Sequence, residues 1–278
     1  MVYVIIPVFN RWIFTEACLI SLRNQTYKEF KVIVVDHGST DFTSENIKAF
    51  FPEVILIPGI NSMWWTAATN LGIQTAMKLN ATYVLTLNND TIAKESYIEE
   101  LLKVVDRVHK PCLIGSTAIN KDDDITFAGE VENWFWETST YNHIDLDKMK
   151  KDYVTCSRFP GRGLLIPIVV INEIGFFDEV VFPHYLADYD FTNRARREGY
   201  SIFCSTKAKL ITYPEASVSH EVIKKKNFKN YISHLFGIKG GAQLVLFYKY
   251  AFRHCPKYAL PSFLFLGTMR RLIGYWLK

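Results

Sequence analysis

No apolar run in this 278-residue chain reaches the roughly 20 residues that a membrane-spanning helix needs. The longest late runs, Leu244-Val245-Leu246-Phe247 and Phe263-Leu264-Phe265-Leu266, are separated by Lys249, Arg253, Lys257 and Pro261. Cysteine is sparse, with five residues (Cys18, Cys112, Cys156, Cys204, Cys255) scattered along the chain and no C-x-x-C spacing. An odd, scattered set excludes a disulfide framework and a zinc knuckle, and fits free thiols in a reducing compartment. Met1 to Pro7 has no basic region and too short an apolar stretch for a signal peptide, so the chain is expected in the cytoplasm. Repeats and low-complexity tracts are missing, as is a Gly-rich, Lys-bearing phosphate loop near the amino terminus, which argues against nucleotidyl transfer. Acidic residues are absent from Lys224 to Lys278, where eight Lys and three Arg give a local charge of +11. The remainder carries 21 basic and 28 acidic residues, a balance of −7. That split implies an anionic partner for the last fifth of the chain.

What is present is an α/β pattern in a core-rich chain, 49% hydrophobic and 15% aromatic. Val2–Ile6, Lys31–Asp36, Glu53–Ile57 and Tyr83–Leu87 are short, apolar or β-branched runs that predict buried parallel strands. Helical segments are expected between them, over 12–22, 41–50 (capped by Ser39 or Thr40) and 67–79. Three such steps in about 80 residues imply right-handed crossovers and a Rossmann-like sheet. Beyond it a helix is expected over 94–108, strands over 112–119 and 164–170, a helix to Glu198, and late strands over 200–204 and 209–213. Asp122-Asp123-Asp124 looks like a metal cluster but is expected to tip a solvated hairpin. Residues 131–157 read as irregular; their Trp134, Phe135, Trp136 and Tyr141 form either an acceptor-side wall or a buried aromatic plug.

The strand ending in Leu87-Asn88-Asn89-Asp90 organises the rest. In open α/β sheets ligands bind beyond the carboxyl ends of the strands. An Asp there, beside two amides, suits a hard divalent cation that also takes phosphate oxygens. Asp36 leaves the second strand on the same edge, and Asp188 and Asp190 follow Ala187 later. His220 is a second candidate ligand, with an ordinary core or surface histidine as the other reading.

In this order, the motifs resemble those of a family 2, GT-A type glycosyltransferase, most like the rhamnosyltransferase-like branch that builds bacterial surface polysaccharides. Ile6-Pro7-Val8-Phe9-Asn10-Arg11 is similar to the opening strand and nucleotide loop, and Val34-Val35-Asp36-His37-Gly38-Ser39-Thr40-Asp41 to the V-V-D-N-G-S-T-D segment. Asn61 and Trp64-Trp65-Thr66 through Asn70-Leu71-Gly72 resemble the N-x-G…N-x-G loop and helix. Leu87-Asn88-Asn89-Asp90 stands at the D-x-D position and Ala187-Asp188-Tyr189-Asp190 at the E-D-x-D position. The resemblance covers about residues 2 to 220 and implies a GT-A, three-layer α/β/α mixed sheet followed by a helical, basic amphipathic appendage. A catalytic domain over 1–220, with nucleotide and acceptor halves dividing near 120, would precede a membrane-associating segment over 221–278.

By that resemblance Asp36 would accept the N3–H of uracil or thymine. Asp90 and His220 would hold Mg²⁺ or Mn²⁺ against the donor diphosphate, and Asp188 would be the general base of an inverting transfer. The nucleotide sugar would also meet Pro7, Phe9, Asn10, Arg11, Gly38, Trp65, Thr66, Asn70, Asn88, Asn89, Gly161 and Arg162. For Trp64 and Trp65, stacking on the ligand and anchoring in the core are both open readings. Arg162, beside two glycines, reaches the donor phosphate, the acceptor or only a surface salt bridge. The expected donor is UDP- or dTDP-linked, and the acceptor a lipid-linked glycan. The departures are Asn88 for the first D-x-D carboxylate, His37 for Asn, and Ala187 for Glu. They support an alternative, a catalytically silent nucleotide-binding scaffold subunit. No Q-x-x-R-W segment accompanies the motifs, so a processive synthase is not expected. Broken apolar runs interleaved with Lys and Arg suit a helix lying in an anionic headgroup layer, here the inner face of the cell membrane. Nucleic acid fits on charge but lacks a recognition motif. A second copy of the chain, or a partner glycosyltransferase, is the remaining candidate for the tail.

Overall fold

A computed structural model of the chain describes residues 1–213, 227–237, 240 and 242–277. Four strands, β1 (Val2–Val8), β2 (Phe30–Asp36), β3 (Ile55–Pro58) and β4 (Tyr83–Thr86), run parallel in the order β3-β2-β1-β4. Three helices make the crossovers: α1 (Trp12–Arg23), α2 (Thr43–Phe50) and α3 (Trp65–Lys78). Every residue of β1 is buried, and successive side chains alternate between faces. Tyr3 and Ile5 join Ala68, Ile73 and Ala76 of α3 on one side. Val2, Val4, Ile6 and Val8 meet Cys18, Leu19 and Leu22 of α1 on the other. Small residues on α3 let it lie close to the sheet, and Gly72 meets the Ile5 side chain.

The second half widens this sheet. It contains β5 (Thr91–Ala93), α4 (Tyr97–Val108), β6 (Cys112–Ile119), β7 (Ile125–Phe127), β8 (Glu130–Asn133), β9 (Thr138–Tyr141), α5 (Leu146–Met149), β10 (Tyr153–Cys156), β11 (Leu164–Pro167), α6 (Ile168–Ile174), α7 (Ala187–Arg197) and β12 (Ser201–Thr212). The full strand order is β10-β12-β6-β11-β4-β1-β2-β3. Because β11 is antiparallel to both β4 and β6, the sheet is mixed, with helices on both faces, as the GT-A resemblance implies.

Several boundaries differ from expectation. Residues 91–93 pair with β12, so α4 begins at Tyr97 instead of Lys94. The strand expected over 164–170 stops at Pro167, which has no N–H to continue a ladder, and Ile168–Ile174 turns helical despite its β-branched residues. One strand with a bulge between Ser205 and Lys209 replaces the two late strands. Neither Ser39 nor Thr40 caps α2: Phe42 takes the cap position in the left-handed region, and Asp41 Oδ1 accepts the Thr43 amide at 3.3 Å. Ser39 Oγ instead accepts the Asn10 amide at 2.7 Å.

The stretch 131–157 is ordered, not irregular. The β8–β9 hairpin and β10 fill most of it. Trp134 packs on Tyr250 and Phe263 as a plug, while Phe135 and Trp136 stay exposed at the hairpin tip. Asp122, Asp123 and Asp124 occupy an exposed turn before β7, as expected. All five cysteines are free, four of them buried.

Three helices close the described chain: α8 (Phe228–Phe236), α9 (Leu244–His254) and α10 (Leu260–Leu277). Leu246, Phe247, Tyr250 and Ala251 of α9 and Phe263 of α10 enter the same core as Tyr3, Ile5 and Phe191. Among the described residues no helix is long and apolar enough to cross a membrane.

Candidate active site

The parallel strands deliver their carboxyl ends to one cleft of about 570 Å³. Pro7 and Phe9 reach it from the end of β1, Asn88, Asn89 and Asp90 from the end of β4, and Asp188 from the first turn of α7. Asp90 and Asp188 thus line the same space.

Asp188 is held by backbone. Its Oδ2 accepts the Gly161 amide at 2.8 Å and its Oδ1 accepts the Tyr189 amide at 2.9 Å. Burial nevertheless raises its pKa above the ordinary carboxylate value, with those two amides only partly offsetting the effect. Gly161 has a reason to be glycine: a Cβ there would overlap the Trp65 ring. Thr86 Oγ1 donates to the Gly161 carbonyl at 2.6 Å, so the end of β4 fixes the loop that fixes Asp188. The Trp65 indole donates to Asn88 Oδ1 at 3.0 Å and meets Phe177 edge-on at 5.6 Å. These contacts anchor Trp65, which also lines the cleft.

Asp90 faces the Arg11 guanidinium, Nη1 to Oδ2 3.6 Å. Burial raises its pKa as well, against the lowering pull of Arg11 and Arg162. Arg11 and the preceding Asn10 both adopt left-handed backbone, at φ 67° and 58°. Asn89 donates to Thr15 Oγ1 at 3.0 Å. Among the described residues no group of three His, Cys, Asp or Glu could hold a metal, and His220 lies outside the described residues.

At the β2 end, Phe9 and His37 stack with centroids 5.4 Å apart and planes 21° apart. Asp36, 4% exposed, does not line the cleft. Its Oδ1 accepts the Gly38 and Ser39 amides at 3.2 and 2.8 Å, and Ser44 Oγ donates to Oδ2. Gly38 sits at φ +105°, where a Cβ would strike Asn61. Asn10 accepts the Thr40 amide at 2.8 Å. Thr66 and Asn70 also stand away from the cleft lining. Thr66 Oγ1 donates to the Phe182 carbonyl at 2.7 Å, and Asn70 Nδ2 donates to the Phe177 carbonyl at 2.9 Å. Both tie α3 to the segment ahead of α7. Arg162 lines the cleft, with its guanidinium 5.9 Å from the Phe127 ring.

Apart from Trp64, sequence reasoning missed the wall formed with His184, Tyr185 and Tyr213. Trp64 and His184 lie 5.9 Å apart there, with Tyr185 4.6 Å from His184 and Tyr213 at the end of β12. The run Pro183-His184-Tyr185 directly before the Ala187–Asp190 motif was the available signal. Asp190 is fully buried and belongs to an ion cluster away from the cleft.

A family model described as glycosyl transferase family 2 matches residues 3–162, more than half of the chain. The chain belongs to that family. Among curated proteins, this family 2 chain is 29% identical over 188 residues to the glycosyltransferase GlyG of Streptococcus pneumoniae serotype 4, covering 66% of the chain and 60% of GlyG. It is 27% identical over 197 residues to an uncharacterised glycosyltransferase of Rickettsia prowazekii, covering 68% and 57%. The family 2 chain therefore spans about 60% of the length of such relatives. Among solved structures it is similar to S. aureus TarS, with a TM-score of 0.57, 17% identity and coverage of 90% of this chain and 43% of that one. A TarS 1–349 structure gives a TM-score of 0.56 at 14% identity, covering 98% and 80%. These two likenesses concern the fold.

Proposed function

We propose that the chain is an inverting, non-processive glycosyltransferase. It moves a hexosyl or deoxyhexosyl group from a UDP- or dTDP-sugar to a hydroxyl of a lipid-linked glycan, in bacterial surface-polysaccharide (O-antigen, lipopolysaccharide or capsule) synthesis. The observation that carries this reading is that Asp90 and Asp188 line one cleft at the carboxyl edge of the parallel strands. The Phe9–His37 stack offers a flat aromatic seat for a nucleobase. Asp36 beside it has three donors on its carboxylate. An ionised carboxylate accepts about four, so an N3–H could take the remaining position only where the base reaches past the cleft lining, which Asp36 does not join.

The donor set at Asp90 fits a divalent cation that arrives with the nucleotide. One carboxylate whose ion pair to Arg11 is long, at 3.6 Å, can join phosphate oxygens around Mg²⁺ or Mn²⁺, and His220 is a second proposed ligand. Such a cation would offset the charge growing on the leaving diphosphate. Arg11 and Arg162 add fixed positive charge on the same side.

Asp188 takes the proton as the acceptor O–H bond breaks. The acceptor oxygen bonds to the anomeric carbon from the face opposite the donor phosphate, and the carbon–phosphate oxygen bond breaks with its electron pair leaving on UDP or dTDP. A raised pKa strengthens Asp188 as a base, and the Gly161 and Tyr189 amides aim it. Trp64, His184 and Tyr185 face the space where the acceptor sugar would lie.

Each late helix exposes apolar residues: Phe228, Ile232 and Phe236 on α8, Val245 and Phe252 on α9, and Phe265, Ile273 and Trp276 on α10. Basic residues and no acidic ones are interspersed, which suits the anionic inner surface of the cell membrane.

The test is release of UDP or dTDP from a panel of UDP- and dTDP-sugars with a lipid-linked acceptor, with and without divalent cation. Asp188→Asn should lower turnover by at least about 10³-fold while UDP affinity stays within about twofold. In the wild type turnover should fall on the acid side, through an apparent pKa above the ordinary carboxylate value of about 3.9, because only the deprotonated base is active. Nucleotide bound but never released from any donor would favour the silent-scaffold reading instead.

A further inference from the structure

We propose that His254 and Arg253, at the carboxyl end of α9, are positioning residues for Asp188. They brace the helix that carries the base against the basic appendage, so turnover depends on how α9 is seated. This inference rests on the reading of Asp188 as base.

The seam between α7 and α9 holds a buried polar cluster. Asp190 lies in the same helical turn as Asp188 and is 0% exposed. Its Oδ1 meets His254 Nε2 at 2.8 Å and accepts from Arg253 Nη1 at 2.9 Å, while Oδ2 accepts from Arg194 Nε at 2.9 Å. Arg253 Nη1 also donates to Asp178 Oδ2 at 2.7 Å, which ties in the segment leading to His184. One turn further on, Asn193 Nδ2 donates to the Tyr250 hydroxyl at 2.7 Å. Arg197 Nη1 donates to the Arg253 carbonyl at 2.9 Å. Thus three positions of α7, one per turn, are fastened to α9.

Such a cluster does more for orientation than for net stability. Two packed apolar faces would hold the helices together as well as a buried ion network, because ions lose hydration on burial. Hydrogen bonds of fixed direction instead set the rotation and height of α7. Asp188 and Asp190 are two residues apart on that rigid element, so a shift that loosens one moves the other. Among the described residues, the hydrogen bond that reaches the Asp188 carboxylate from outside α7 comes from Gly161. Its aim therefore depends on where α7 sits. A misplacement of about 1 Å at a reacting group can cost up to about 10²-fold in rate. Since α9 belongs to the appendage, whatever engages that appendage acts on the base through this seam.

His254 is buried, which lowers its pKa and leaves the ring neutral at pH 7, with Nε2–H donating to Asp190. Replacing it with an apolar residue therefore removes a hydrogen bond without changing charge. We compare His254→Leu, which loses the donor, with His254→Gln, which keeps an N–H. Turnover is read as UDP or dTDP release from the same donor panel across pH, and nucleotide binding by calorimetry with UDP. The expected result for His254→Leu is a turnover about tenfold down, UDP affinity within about twofold, and an acid limb moved toward the ordinary carboxylate value as water reaches Asp188. His254→Gln should recover turnover to within about threefold. A His254→Leu protein with a lower melting temperature but unchanged turnover and pH profile would make the cluster structural only and overturn the proposal. Should His254→Leu fail to bind UDP, Arg253→Met decides by the same criteria, because a methionine keeps much of the side-chain length but donates to neither Asp178 nor Asp190. Retained turnover in Asp188→Asn overturns the base assignment and this inference together. Turnover lost in Asp188→Asn and kept in His254→Leu overturns the brace alone.

Discussion

Two carboxylates in one helical turn are pushed in opposite directions by their surroundings. Burial carries the Asp188 pKa up, and backbone amides with the more distant Arg158 charge only partly offset it. Asp190 is also buried, but the hydrogen bond from His254 and the guanidinium groups of Arg194 and Arg253 hold it down to about 2. A depressed folded pKa means that Asp190 adds its stability above the unfolded value near 3.9, and that this is lost as pH falls toward 2. Asp190→Asn should therefore cost about 2–3 kcal/mol at pH 7, from the size of the shift, and its stability should converge on that of wild type as pH approaches 2. Urea unfolding at a series of pH values measures this. At this scale composition and spacing offered four carboxylates, Asp36, Asp90, Asp188 and Asp190, and the family resemblance assigned roles to the first three. Only the three-dimensional neighbours separate a carboxylate in a cleft from one in an ion cluster.

Elements place the site through a few close contacts. The turn before β11 can approach α3 only because residue 161 has no side chain. Gly161→Ala must displace Trp65, and with it both the indole bond to Asn88 and the amide bond to Asp188. Turnover should fall by about 10²-fold, with a smaller loss of thermal stability, seen by comparing donor turnover with the unfolding midpoint. The long parallel strands were legible because β-branched runs closed by Pro, Gly or Asp carry a local signal. The β8–β9 hairpin was not, since its polar residues show no clear alternation and its pairing partners are set at a distance. Likewise residues 168–170 read as the end of a strand and instead open the helix Ile168–Ile174, where Val170 and Ile171 face the core.

On the scale of the whole molecule, the helices after residue 227 complete the core instead of hanging beside it. Phe247, Tyr250 and Phe263 pack with residues of the sheet half, and Arg253 and His254 close the Asp190 cluster. Removing residues 221–278 should strip the protein of binding to anionic vesicles and also of cooperative unfolding, leaving exposed apolar surface and an Asp190 that keeps Arg194 but loses Arg253 and His254. Vesicle sedimentation together with calorimetry separates that outcome from loss of an independent anchor, which would leave the unfolding transition intact. The basic charge of the tail, the strand-ending carboxylates and the α/β order are properties of local composition and period, so the sequence alone determined them. That Asp90 and Asp188, 98 positions apart, share a cleft depended on β11 inserting antiparallel beside β4 and bringing Gly161 to α7. That α9 braces the base helix depended on a seam between residues about 60 apart. Contacts over such distances are fixed by which surfaces pack, and no window of sequence carries that information.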